Sequence, residues 1–453
     1  MAEFSWFHPL MTAVERERER IFAAEAYLWQ HPATGFREWE ASEYLAGQFA
    51  SLGYEIHSAG NIPGFYADID TGRPGPALAL LGELDSVLCP SHPDADTATG
   101  AVHACGHHTQ GAALLGAAAV LRQTEAFLGL CGRIRLIAVP AEELLELAYR
   151  EQLRQEGIIR YFGGKSEFLY RGYFDGIDMA MMVHAGPGPT RTFTVNQGNN
   201  GCLLKNVRFT GKAAHAGGSP HKGINALYAA TLGLQAINAL RETFRESDHI
   251  RVHPIITRGG SAVNVIPDDV TLESYVRGST IEAILRENKR VSLALAGAAA
   301  SLGARLEIAD RPGYMPLHND PTLTGLSREI MDALVGPENV RIRDKWEAGS
   351  TDMGDLSCLM PVIQPVVGGA QGELHEADFR ITDHESACVL PAKLLAGTAC
   401  ALLAEEGALA RQVIARKQTV YSTPAEYFQA LDAIFTDRQA VVYRDDGSVL
   451  LNC

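Results

Sequence analysis

At 453 residues, with 46% hydrophobic and 21% charged content, the chain is long enough for two domains and a large buried core, and too evenly mixed to be disordered or fibrous. A formal charge of −15 argues against the basic face that nucleic acid or an anionic membrane surface demands, so neither is expected as a partner. Eight cysteines without a CxxC pair or framework spacing suit a reducing compartment, and the cytoplasm is the expected location.

The opening Met1-Ala-Glu-Phe-Ser-Trp6 has neither a basic n-region nor an apolar h-region, and no window approaches 18 consecutive apolar residues. Apolar residues at helical spacing predict a helix over 11–28 and, after the His31-Pro32 break, a second over about 40–52 closed by Gly53. Short strands are expected at 54–59 and 65–69, then a buried strand at 77–81 running into Gly82-Glu-Leu-Asp85. A helix over 112–121 follows His103-Ala-Cys-Gly-His-His108. Strands at 133–139 and 179–183 stop at Pro140-Ala-Glu-Glu143 and His184-Ala-Gly-Pro-Gly188.

Between about 199 and 312 the texture becomes strand, helix, two strands, helix, strand, which predicts an inserted ferredoxin-like α+β domain. The elements are expected at 203–209, 223–240, 249–257, 269–276, 281–302 and 305–310. The chain then returns through a helix near 321–335, a strand at 362–367 and a long Ala/Leu helix over 386–405. The tail carries a helix signal at 424–435 and a hairpin signal, 440–443 with 448–451, around Asp445-Asp-Gly447.

Asp85, Cys105 with His107, Glu142 with Glu143, and His184 each follow an apolar run and precede a loop or helix. Strand ends that converge in this way line one crevice in an α/β fold. Cys105 and His107, two residues apart across a permissive Gly106, are able to meet one divalent ion. The same residues also read as a small buried hydrophobe beside helix-start histidines, Glu142-Glu143 as a solvated acidic pair and His184 as a loop histidine. If the crevice holds two ions, roughly 3.5–4 Å apart, it needs a bridging ligand, terminal ligands and a carboxylate left over to deprotonate water. Cys105 suits the bridge; His107, Glu143, His184 and His375 complete the set and leave Glu142 as general base.

Nine ordered motifs over roughly residues 20–412 carry a family resemblance: His31-Pro…Gly35-Phe…Glu38, Gly82-Glu-Leu-Asp85, Ala104-Cys-Gly-His107, Ala141-Glu-Glu143, Val183-His-Ala-Gly-Pro187, Gly211-Lys-Ala-Ala-His-Ala216, Asn264-Val-Ile-Pro-Asp268, Gly349-Ser-Thr-Asp352 and Leu374-His375. The chain resembles the zinc-type metallopeptidases and amidohydrolases of the aminoacylase/carboxypeptidase-G family, in the branch with p-aminobenzoyl-glutamate hydrolase and the indoleacetyl-amino-acid hydrolases. The resemblance implies an α/β catalytic domain with a mixed central sheet flanked by helices (1–198 and 313–416), a lid and dimerisation domain (199–312) and a C-terminal extension (417–453). It further implies two divalent metal ions on Cys105, His107, Glu143, His184 and His375, with Glu142 as proton shuttle. Zinc or manganese is expected, and nickel and cobalt also fit such a donor set.

By the same resemblance His215, from the partner subunit, stabilises the oxyanion, while Asn264 and Arg277 hold a substrate carboxylate. A homodimer or higher homo-oligomer through the lid is implied. The implied reaction is metal-dependent hydrolysis of an amide bond in an N-acyl or aryl-amide amino-acid conjugate or a dipeptide. The alternatives are an aminohydrolase (deaminase) using the same binuclear site, and an inactive binding protein. Two features depart from the family pattern. His108 stands where Asp or Asn is usual, which leaves it open as a spare ligand, a donor behind the ligands or a specificity residue, and the tail beyond 412 is longer than usual.

Overall fold

The strand Ala77–Glu83 is buried at all seven positions, as its unbroken apolar run requires, and lies parallel between Arg133–Val139 and Met179–Met181. Phe65–Asp70 runs antiparallel to Arg133–Val139, so the sheet is mixed; His57–Ser58 and Val362–Ile363 form its two edges. The computed structural model describes residues 5–453. Residues 1–4, which open the segment read above for an export signal, and the side chains of 124–128 lie outside the described residues.

Two compact units divide the chain, one made of 1–198, 318–345 and 355–422, the other of 199–317, 346–354 and 423–453. In the first unit the helices His107–Leu128 and Leu390–Leu403 share a core with the sheet, built from Leu80, Leu114, Leu121, Leu136 and Leu394. Each such leucine contributes about 1.5–3 kcal/mol relative to an exposed one. Glu385–Leu403 is long and apolar enough to cross a membrane by composition, yet it is entirely buried inside the protein. It begins with a π-helical turn, Glu385–Val389, ahead of the α-helix.

Three expectations differ from the structure. The helix expected over 11–28 is two helices, Phe7–Arg16 and Arg18–Gln30, broken at Glu17, because each buries its own stripe: Phe7, Leu10, Met11 and Val14 in the first, Ile21, Ala24 and Leu28 in the second. The strand expected at 54–59 shrinks to His57–Ser58. The strand expected at 362–367 splits at Gln364-Pro365, where proline has no N–H for a ladder. Val362–Ile363 stays in the main sheet, and Val366–Gln371 enters another, parallel to His184–Pro187 and antiparallel to Phe193–Asn199 and Arg380–Ile381.

In the second unit Gly201–Thr210 lies between Asp269–Gly278 and Arg305–Tyr314, with Arg251–Arg258 outside, all antiparallel. With the helices Ala226–Arg241 and Ile281–Ser301 this is the ferredoxin-like strand order 2-3-1-4. Asn225 and Thr280 cap those helices, accepting from the amides of Tyr228 at 3.0 Å and Ala283 at 3.1 Å. The tail extends this sheet: Thr436–Tyr443 pairs with Arg305–Tyr314, and Val449–Leu451 pairs with Thr436–Tyr443. Buried Asp310 anchors it, accepting from Lys205 at 2.5 Å and from Arg438 of the tail at 2.7 Å.

Two glycines predict opposite responses. A Cβ at Gly164 would sit 1.6 Å from the Pro140 carbonyl oxygen, under the loop that carries Glu142 and Glu143, whereas one at Gly47, inside a helix, would meet nothing within 4 Å. In urea denaturation Gly164→Ala is expected to cost about 1–3 kcal/mol and Gly47→Ala to add about 0.4–1 kcal/mol; equal effects would contradict this packing.

Candidate metal centre

The parallel strands Ala77–Glu83 and Arg133–Val139 end side by side, which places Glu83 and Asp85 beside Glu142 and Glu143. The helix His107–Leu128 starts at Gly106, whose φ of 89° is open to glycine at little cost, and its first residue turns His107 toward those strand ends. His184 opens the strand His184–Pro187, where the chain leaves the main sheet for the neighbouring one. His375 reaches in from the loop between Gln371 and Arg380 with φ at 68°, a left-handed conformation that costs a non-glycine residue of order 1 kcal/mol or more.

Three groups of donor atoms lie within 4.8 Å of one another: Cys105, His107 and His184; Cys105, Glu143 and His375; and Glu83, His107 and Glu142. Cys105 belongs to the first two, with its sulfur 3.6 Å from His184 Nε2. His375 Nε2 lies 3.0 Å from Glu143 Oε1, and His107 Nε2 lies 3.2 Å from Glu83 Oε2 and 4.0 Å from Glu142 Oε2. The structure thus brings together all five residues expected as ligands, with Glu142 beside them.

Asp85, which the sequence placed at a strand end without assigning it work, orders the group. It is wholly buried; its Oδ1 lies 3.1 Å from His107 Nδ1, its carbonyl 3.0 Å from the same nitrogen, and its Oδ2 accepts from the Glu143 amide at 2.7 Å. With Nδ1 committed to Asp85, Nε2 is the nitrogen left to bind an ion, and it is buried without a hydrogen bond. Glu83 is held by Lys165, wholly buried on the helix Gly164–Tyr170, and by Gln110 Nε2 at 2.8 Å. Arg150, also buried, donates to the carbonyls of Glu143, Phe162 and Leu145 and fixes the loop from below.

Burial alone would keep the Cys105 thiol protonated, but His107 and His184 outweigh it and hold its pKa down at about 6. Burial likewise opposes charge on His107, and the Cys105 sulfur and Glu83 override it, pushing His107 well above the usual imidazole range. Glu143 is pulled against its burial to about 2 by His375, whose own pKa rises against burial to about 11 through Cys105 and Glu143. A thiolate, imidazoles and carboxylates that neutralise one another so closely are the donor set of a divalent-metal site.

His108 takes no part in the three donor groups. Its Nε2 lies 3.3 Å from Glu25 Oε1, its ring 4.9 Å from Trp29 and 5.3 Å from His103, behind the ligands and away from them. His215, Asn264 and Arg277 belong to the second unit. There His215 is exposed, its Nδ1 accepting from the amides of Gly217 at 3.2 Å and Gly218 at 2.9 Å, which leaves Nε2–H directed outward. Asn264 is exposed, its carbonyl bonded to the Ala216 amide at 2.9 Å, and Arg277 donates to Ser350 Oγ at 3.1 Å.

The model of a protein family described as peptidase family M20/M25/M40 matches residues 64–401. The chain is 32% identical over 300 residues to one of the two p-aminobenzoyl-glutamate hydrolase polypeptides of Escherichia coli (strain K12), across 63% of this chain and 56% of that protein. It is 31% identical over 305 residues to indole-3-acetyl-aspartic acid hydrolase of Enterobacter agglomerans, across 65% of each. In both cases the chain spans less than two thirds of the relative's length. A solved Bacillus subtilis protein, described as a dinuclear metal binding peptidase from the M20 family, shares the fold with a TM-score of 0.65 and 24% identity, over 86% of this chain and 99% of that one.

Glu38 gives the site a pH signature. It is wholly buried, accepts from the Ala141 amide at 2.8 Å, and is raised to about 8 by burial and then by the nearby Asp85 charge. A raised folded pKa makes the stabilising contribution of the neutral acid complete below about 4.5 and lost as pH climbs through about 8. In metal-free protein, Glu38→Gln is therefore expected to match wild type at pH 5 and to exceed it at pH 9 by more than about 1.4 kcal/mol, the value of one pKa unit. A difference independent of pH in chelator-treated thermal melts would contradict the buried acid.

Proposed function

Because the chain belongs to the peptidase family M20/M25/M40, we propose that it is a binuclear metal-dependent amidohydrolase that releases an amino acid from an N-acyl or aryl-amide conjugate, or from a dipeptide. The observation that carries this reading is the position of Cys105 in two donor groups at once, each completed by separate partners. Cys105, His107 and His184 would hold one ion, and Cys105, Glu143 and His375 the other. Zinc and manganese suit this mixture of soft and hard donors, and relative availability in the cell decides between them.

When bound, the two ions supply Lewis-acid polarisation of the scissile carbonyl and ease deprotonation of the attacking water. Glu142 accepts that proton on its carboxylate and returns it to the leaving amide nitrogen. Its place next to Glu143 but outside the two Cys105-centred groups supports the assignment. Asp85 keeps His107 in the tautomer that leaves Nε2 as acceptor. His215, its outward Nε2–H fixed by the two glycine amides, suits stabilisation of the oxyanion from a partner subunit. Arg277, positioned by Ser350, offers a planar fork for the substrate carboxylate, with Asn264 as a second contact.

Small amide conjugates are favoured as substrates because the relatives named above act on aminobenzoyl-glutamate and indole-3-acetyl-aspartate by their descriptions. Self-association through the second unit is supported by exposed Tyr228, Leu232 and Ile255 on its helix and edge strand, with Val263 fully exposed nearby.

A mass-spectrometric screen of N-acyl amino acids, aminobenzoyl-glutamate, dipeptides and aromatic amines is expected to show release of an amino acid that stops with chelator. Release of ammonia alone would favour the deaminase. Glu142→Gln should lower turnover by roughly 10²–10⁴-fold while metal content stays at the wild-type level; full activity in that variant would remove Glu142 from the proton-transfer role.

A further inference from the structure

The segment between the short paired strands Val87–Leu88 and Ala101–Val102 has no part in the chemistry so far. It contributes one buried imidazole, His92, and both ring nitrogens are occupied. Nδ1 accepts from the Asp94 amide at 3.0 Å, so Nε2 carries the hydrogen and donates to the carbonyl of Phe379 at 2.9 Å. The Trp29 ring meets His92 edge-on at 5.8 Å.

Phe379 closes the loop on which His375 stands. Its ring is fully buried among Val87, Cys89, Val102, Ala104 and Cys105. A Cβ at Gly106 would lie 3.5 Å from it. His375 has less support of its own: its side chain is 51% exposed, its φ is 68°, and its amide donates to the Ala104 carbonyl at 2.9 Å. A left-handed histidine in a half-exposed loop persists only when its surroundings over-determine it. The fixed point on the far side of His375 is Phe379, and the Phe379 carbonyl is where His92 holds.

We infer that His92 is a positioning residue for His375: through the Phe379 carbonyl it sets the loop that delivers this ligand, and so controls the ion held by Cys105, Glu143 and His375. His107 and His184 depend on Asp85 and on strand ends that His92 does not touch, so the other ion is insulated from it. This inference rests on the binuclear reading above.

The test titrates wild type, His92→Ala and His92→Gln with zinc against a chromophoric chelator, with metal content read by mass spectrometry and folding by far-ultraviolet circular dichroism. Glutamine places an N–H donor close to the position of Nε2, whereas alanine removes it. Wild type should bind two ions. His92→Ala should keep one at wild-type affinity and bind the other roughly 10- to 100-fold more weakly, and His92→Gln should recover most of that loss. Two ions at unchanged affinity in His92→Ala would overturn the inference alone, as would equal weakening in both variants or joint loss of both ions. Fewer than two ions in wild type would overturn the binuclear reading together with it.

Discussion

The Asp85 carboxylate, wholly buried just past the Ala77–Glu83 strand, holds His107 Nδ1 with one oxygen and the Glu143 amide with the other. Two segments far apart in sequence are thereby locked at one point, and each delivers a donor to a different side of Cys105. The carboxylate itself stays in place because the strand beneath it is buried at every position and flanked by parallel neighbours. Precision at the site is therefore inherited from the most rigid part of the sheet, as a preorganised centre requires.

Such an arrangement concentrates charge. Glu83, Asp85, Glu142 and Glu143 crowd one buried space, and Lys165, His107 and His375 only partly balance them. The cost of four neighbouring carboxylates is visible in Glu38, whose proton is retained to about pH 8 by burial and the Asp85 charge. Divalent ions would relieve this repulsion, so metal affinity and folding stability should be coupled in this protein.

Much of the site was legible in the sequence, for identifiable reasons. Cys105, Gly106 and His107 are adjacent, and the apolar runs before Asp85, Glu142 and His184 mark strand ends directly. What depends on three-dimensional register was not legible. Glu83 and Lys165 pair across 82 positions, and no local pattern announces that contact. The left-handed turn at His375 follows from packing around Phe379 and not from a glycine. The strand Val340–Glu347 escaped notice because most of its positions are exposed and polar, and the double role of 362–367 was hidden by an apolar run that Pro365 divides between two sheets. The tail, silent about its role in the sequence, proves to be an extension of the second unit's sheet.

The central claim is that one thiolate, Cys105, is shared by two ions. X-ray absorption at the zinc edge, on protein loaded with two equivalents of zinc, tests it most directly. The account predicts a sulfur scatterer at about 2.3 Å together with a metal–metal vector at about 3.5–4 Å, both abolished in Cys105→Ser. A spectrum with nitrogen and oxygen scatterers alone, or with sulfur but no second metal, would contradict it.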